Sequence, residues 1–337
     1  MKLSYRIILI ISFLFIGSIF FWAIFSPKED ISTRINQTIK EQEKVADLSF
    51  KDVTFEEIVT GIKYWQLQAN SAMINKSTEV ATLKTVKGTF FEKGQAALKF
   101  ISPAALWDMK KKEIFLDTAL GYDVKLENKI NSILDQPGKL VLSIFNLTKD
   151  SSSYWFQAKN LSWKLATKKL LCSGGIVLNK GEITSHAEKL ESDVGLKRIK
   201  LEGKPRVIIS PQTLSPITIE AKSFEVLNKE NTITAQGSPK ITWNTATIFA
   251  DQITYYQETS TLKLAGRVRI DYNDIKAWGN TANYQTETEK IILKGAATAK
   301  QGENKLSGEE VMVELAGKKI SVIGSGKIVI SEEELQK

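Results

Sequence analysis

The stretch Leu262-Lys263-Leu264-Ala265-Gly266-Arg267-Val268-Arg269-Ile270 decides the fold. Apolar side chains at 262, 264, 268 and 270 alternate with charged or small ones, and the alternation runs through a central glycine. Period two means one strand with one face turned inward. Glycine weakens a strand, so a recurrent one marks a bend, a bulge or a close approach. This one recurs: Gly237, Gly266, Gly295 and Gly324 are each 29 residues apart, and so are Gly174 and Gly203. From Gly203 to Gly237 the gap is 34, and the segment Pro211 to Pro216 can absorb the difference.

Apolar side chains stand four and two residues before each glycine: Leu170 and Cys172, Ile199 and Leu201, Ile233 and Ala235, Leu262 and Leu264, Ile291 and Leu293, Ile320 and Val322. The parity continues afterwards, as in Val207, Val268 and Ile270. By parity the glycine falls on the inward face, mid-strand. A sheet that folds over at the same place in every strand is the simplest account. An incoming strand precedes each of these, ending in a polar stretch and often an aromatic, as in Ala158 to Trp163, Ala250 to Tyr255 and Ala282 to Tyr284. One unit is thus two strands joined by a polar hairpin. Stacked units give an all-β, elongated, open structure. A β-solenoid or β-sandwich that binds no ligand satisfies the repeat equally well.

The N-terminus sets the expected compartment. Ile7 to Phe25 is 19 residues without a charge, roughly 28 Å as a helix, close to the hydrocarbon thickness of a bilayer. Lys2 and Arg6 precede it, which places residues 1–6 in the cytoplasm and the body outside. A cleaved signal peptide would need small residues after the run, and Phe20-Phe21-Trp22-Ala23-Ile24-Phe25 is too bulky. The expectation is one uncleaved transmembrane helix over 7–25, then a polar tether over 26–53 with some helix near Thr33 to Lys44. The β body follows over 54–210 and 217–330, with a polar tail over 331–337.

Composition narrows the function. One cysteine, Cys172, allows no internal disulfide. The net charge of +8, from 46 Lys and Arg against 38 Asp and Glu, is mild and spread along the chain. It serves solubility or attracts an anionic partner such as a lipid headgroup. No basic run interleaved with aromatics points to nucleic acid. No phosphate loop, nucleophile motif or metal-ligand cluster stands out. His186 is the only histidine and reads as structural, and Cys172 reads as a buried small hydrophobe. Asp271-Tyr272-Asn273-Asp274 reads as a hairpin rather than a metal loop. No enzyme and no cofactor are expected.

The anchor, the segment Tyr64-Trp65-Gln66-Leu67-Gln68-Ala69 and the repeated "Ala…Tyr…Leu-x-Gly-x-Val-x-Ile" units resemble the periplasmic lipopolysaccharide transport proteins LptC and LptA, with their OstA-like domain. The units at 250–255, 262–270 and 291–295 carry the resemblance best. The arrangement resembles LptC at its start, with a longer β region: either a long LptC-like body or an LptC-like part continued by an LptA-like part from 217. The resemblance implies a taco-shaped open β-jellyroll. Its trough shields the lipid A acyl chains of lipopolysaccharide in the periplasm during outer-membrane biogenesis. It also implies docking on the permease subunits of an inner-membrane ABC transporter. Another OstA-like bridge protein would join through the C-terminal edge strands, Val311 to Ile330. The candidate trough lining is Leu201, Val207, Ile233, Leu262, Leu264, Val268, Ile270, Ile291, Leu293, Ile320 and Val322, with small glycines keeping the trough from filling itself. A membrane-anchored scaffold that binds only proteins is the competing class. It would pack those same side chains against one another.

Overall fold

The computed structural model describes residues 30–134, 153–211 and 214–330. The anchor segment Ile7 to Phe25 and the tail 331–337 lie outside them. Among the described residues no helix is long and apolar enough to cross a membrane.

Among the described residues the alternating segments form one antiparallel sheet of 21 strands. Eight long strands come first: β1 (Leu48–Val59), β2 (Ile62–Asn75), β3 (Val80–Glu92), β4 (Gln95–Asp108), β5 (Glu113–Asp123), β6 (Tyr154–Lys164), β7 (Lys169–Lys180) and β8 (Ile183–Asp193). Eight short ones follow: β9 (Arg198–Glu202), β10 (Arg206–Ile209), β11 (Ile217–Glu220), β12 (Ser223–Leu227), β13 (Thr232–Gln236), β14 (Lys240–Trp243), β15 (Ala246–Phe249) and β16 (Gln252–Tyr256). Long strands then resume with β17 (Thr261–Tyr272), β18 (Ile275–Gln285), β19 (Lys290–Gln301), β20 (Asn304–Glu314) and β21 (Lys319–Val329).

The short strands show how the sheet folds. One half of β8 pairs with β9 and the other with β10. From there two ladders run side by side, β9-β12-β13-β16 and β10-β11-β14-β15, and both rejoin on the two halves of β17. Every strand position therefore belongs to two leaves that meet at a corner. The first leaf holds Leu262 and Leu264, and the second holds Val268 and Ile270. The 34-residue interval contains the β10–β11 connection, which leaves the second leaf at Ile209 and re-enters it at Ile217. Pairing continues on either side of that connection, Val207 to Ile219 to Ile241.

The corner is a bulge. In β17, Ala265 faces Thr281 and Val268 faces Gly279, so Gly266 and Arg267 together oppose Asn280. Both have positive φ, +75° and +44°. The other five repeat glycines, Gly174, Gly203, Gly237, Gly295 and Gly324, also have positive φ. This corrects their expected role: they do not line the trough. At Gly237 an added Cβ would lie 2.6 Å from the Cβ of Lys222, in the bend between β11 and β12. At the equivalent places it would meet the polar side chains of Lys159, Glu188, Asp251, Asn280 and Glu309. Each of these stands 15 residues before its glycine. The glycine is needed for a left-handed backbone and a close strand-to-strand approach.

In the first third of the chain the corner is built differently. Asp52, Thr85 and Thr118, at φ +48°, +53° and +50°, take the left-handed turn without glycine. Two helices cover the outside. The helix α1 (Ile31–Val45) starts at the capping carboxylate of Asp30 and buries Ile35 and Ile39 against Ala104 and Leu106 of the first leaf. Ser32 donates to Asp117 at 2.6 Å, and Gln42 exchanges hydrogen bonds with Val80 and Thr82. The stretch expected as a tether is thus fastened to the sheet over 31–45. On the second leaf, α2 (Glu127–Leu134) lays Ile130 over Leu120, Tyr122 and Trp155.

Gly237→Ala is expected to cost about 2 kcal/mol or more, from left-handed strain of roughly 1–2 kcal/mol plus the clash with Lys222. At Gly324 the nearest atom to an added Cβ is the Glu309 Oε2, 3.4 Å away at the end of a flexible chain. Gly324→Ala should therefore carry the strain alone. Urea denaturation midpoints of the two variants test the ordering.

Candidate functional site between the two leaves

Alternation puts one apolar face of each leaf inside. The result is a single core cluster running from Trp65 to Leu315. Cross-strand registers set the candidate lining into rows. Leu201, Leu264, Leu293 and Val322 belong to one row of the first leaf, alongside Cys172, Phe224 and Ile253. Ile233, Leu262, Ile291 and Ile320 form a second row nearer the mouth. Val207 and Ile270 lie in one row of the second leaf, and Val268 adjoins the corner. The structure thus sets all eleven residues on the inner faces.

The two leaves touch. Nine of the eleven residues are buried, none more than 5% exposed. Ile320 and Val322, on the terminal strand β21, are only partly covered. A cavity bounded by Leu178, Ile183, Ile199, Val226 and Ile233 has a volume of about 20 Å³, room for roughly one water molecule. An acyl chain can enter only if the leaves part.

Among the described residues polar contacts close the mouth, each from a second-leaf strand to a first-leaf tip, including the ion pairs of Lys197 with Glu92 at 2.6 Å and Lys112 with Glu57 at 2.7 Å. Lys180 Nζ donates to Asn228 Oδ1 at 3.2 Å and Asn231 Oδ1 at 3.0 Å, and reaches Gln257 Oε1 at 3.5 Å. Burial pulls the Lys180 pKa below the usual lysine range. Tyr272 Oη donates to the Leu315 carbonyl at 2.8 Å, in buried surroundings. Tyr154 Oη approaches the Gly195 carbonyl at 3.4 Å. Nearer the N-terminus aromatics do the same work. Trp107 of the first leaf meets Trp65 edge-on at 4.9 Å, and Trp163 meets Phe90 at 5.6 Å. None of these closures was read from the sequence. Tyr272 sits in the Asp271–Asp274 hairpin, and its partner is 43 residues away.

Two other residues weighed in the sequence fall in ordinary places. Cys172 is buried in the aliphatic row, and burial pushes its thiol pKa far up. His186 is half-buried opposite Arg206 on β10, and burial and then Arg206 lower its pKa.

Among the described residues no strand pairs with the outer edge of β1 or of β21. β1 exposes Leu48, Phe50 and Ile58, and β21 exposes Ile323, Ile328 and Val329. Unpaired edges with apolar side chains are templates for another strand.

With this geometry in place, the likeness to known proteins can be located. Residues 218–319 match the family model described as "LptA/(LptD N-terminal domain) LPS transport protein". That is under a third of the chain and spans β11 to the start of β21. Among solved structures, LptH of Pseudomonas aeruginosa, the LptA-homologous periplasmic component of its lipopolysaccharide transport device, is similar at 18% identity. The alignment covers 35% of this chain and 96% of that one, with a TM-score of 0.33. No curated protein sequence matches the chain.

Tyr272→Phe should lower stability by about 0.5–1.5 kcal/mol, the net value of one hydrogen bond, since the Leu315 carbonyl still accepts from the Lys318 N–H at 3.3 Å. A fall in the urea midpoint checks this, and an unchanged midpoint would mean the mouth is not held there.

Proposed function

We propose that the chain is a bridge component of lipopolysaccharide export, anchored in the inner membrane by residues 7–25 with its body in the periplasm. In this reading it accepts lipopolysaccharide from the ABC transporter's permease subunits and shields the acyl chains between its two leaves. It then passes them to an OstA-like partner joined at β21. It performs no chemistry itself, and the energy for movement comes from the transporter.

One observation carries the reading. The inner faces of both leaves are predominantly apolar along the sheet, while the mouth is held by a few polar contacts. A lipid chain that enters replaces leaf-to-leaf contact with leaf-to-chain contact. Each methylene it buries is worth on the order of 0.8 kcal/mol, which offsets the parting of the leaves. The family match at 218–319 supports the same role for the C-terminal part. The exposed edges of β1 and β21 suit joining to neighbours end to end.

The closed cleft also favours a second reading, a scaffold whose core is permanently packed and whose edges bind only proteins. Photo-crosslinking in cells separates the two. A photoreactive residue at Leu264 or Leu293 should capture lipopolysaccharide, while the outward neighbours Lys263 and Ile292 should not. Equal behaviour of inward and outward positions would leave the scaffold.

A further inference from the structure

Among the described residues three buried side-chain polar atoms have no hydrogen-bond partner: Trp107 Nε1, Trp163 Nε1 and Tyr284 Oη. Trp163 is 2% exposed and Tyr284 0%. All three lie on one line. Register places Trp107, Trp163, Ser192, Val226, Tyr255 and Tyr284 in the same inner row of the first leaf, next to the mouth, each separated from the next by an aliphatic residue of the intervening strand. The other two polar members are satisfied within their own hairpins. Ser192 donates to the Arg198 carbonyl at 2.8 Å, and Tyr255 is hydrogen-bonded to Ser260.

A buried donor without a partner costs about 1–3 kcal/mol. Phenylalanine would fill the same space at Tyr284 without that cost. Three such donors on one row of one face mark a place where acceptors arrive from outside the chain. Hydrocarbon supplies none. The ester or amide carbonyl at the head of an acyl chain supplies one, on an otherwise apolar molecule. Two strand spacings separate Trp107 from Trp163, about 10 Å, so neighbouring donors can serve separate chains of one amphiphile.

We propose that this row is a carbonyl-binding rail. In it Trp163 Nε1 and Tyr284 Oη, eight strand spacings or about 38 Å apart, each donate to an ester or amide carbonyl of a different acylated amphiphile along the row. Its linkages lie at the mouth, and its chains run inward toward Leu201, Leu264 and Leu293. The proposal rests on the lipid-bridge reading and adds an orientation and a chemical requirement to it.

The test uses the full-length chain held in an amphipathic polymer. Two probes are compared by equilibrium dialysis, each below its micelle concentration: a short-chain diacyl phosphatidylcholine and its dialkyl ether analogue, which lacks the carbonyls. The wild type should bind the ester probe more tightly. Tyr284→Phe and Trp163→Phe should each weaken ester binding at its own position about fivefold, the scale of one hydrogen bond, and leave ether binding unchanged. The urea midpoint of Tyr284→Phe should not fall, since no internal bond is lost. Unchanged ester binding in both variants overturns the rail, and so does an equal loss with both probes, which would mean packing alone. A wild type that binds neither probe sinks the lipid-bridge reading itself, and the rail with it.

Discussion

Everything in this molecule depends on turning a hydrogen-bonded sheet through a corner without breaking it. A β ladder resists sharp bending because its donors and acceptors must stay paired. From β7 onward the turn is made by one extra residue in the glycine-bearing strand of each pair and left-handed backbone at the bulge, seen most plainly at Gly266 and Arg267. Asp251 then fills the inside of the turn, its N–H donating to the carbonyls of Ala265 and Gly266 and its carboxylate meeting the Arg267 guanidinium. The corner sets the two apolar faces opposite each other, and so creates the cleft.

The C-terminal half of this plan was legible because its corner requires glycine. The positive φ and the neighbouring polar side chain together exclude a Cβ, which leaves a mark every 29 residues. In the first third the same corner is made by Asp52, Thr85 and Thr118, residue types found anywhere on a surface, so the periodicity fades there. The docking of α1 was hidden for a related reason. Ala104 and Leu106 face outward under the helix, while Ala105 faces the cleft, giving a run that is apolar on both faces with no alternation to read. Parity located the rows of lining residues. Their partners across the mouth come from distant hairpins, and no local pattern announces them.

The cleft is a packed core and, in the proposed reading, a path. The two descriptions are compatible because the contacts across the mouth are few and specific, while those along each leaf are continuous. Separating the leaves breaks the Lys180 and Tyr272 contacts and exposes apolar surface, but leaves the ladders and their corner intact. An apolar guest restores the lost burial. The polar closures would govern how readily that exchange begins, and the aliphatic rows how strongly the guest is held.

The repeat also makes length an independent variable. Each 29-residue unit contributes two strands, about 10 Å along the stack. The corner and the lining rows stay in register whichever unit comes next. The 34-residue interval shows that surplus residues are tolerated. Duplicating or deleting a unit would therefore lengthen or shorten the body in fixed steps while leaving its cross-section alone. A lineage could adjust the reach of such a protein by counting units, with no need to redesign any one of them.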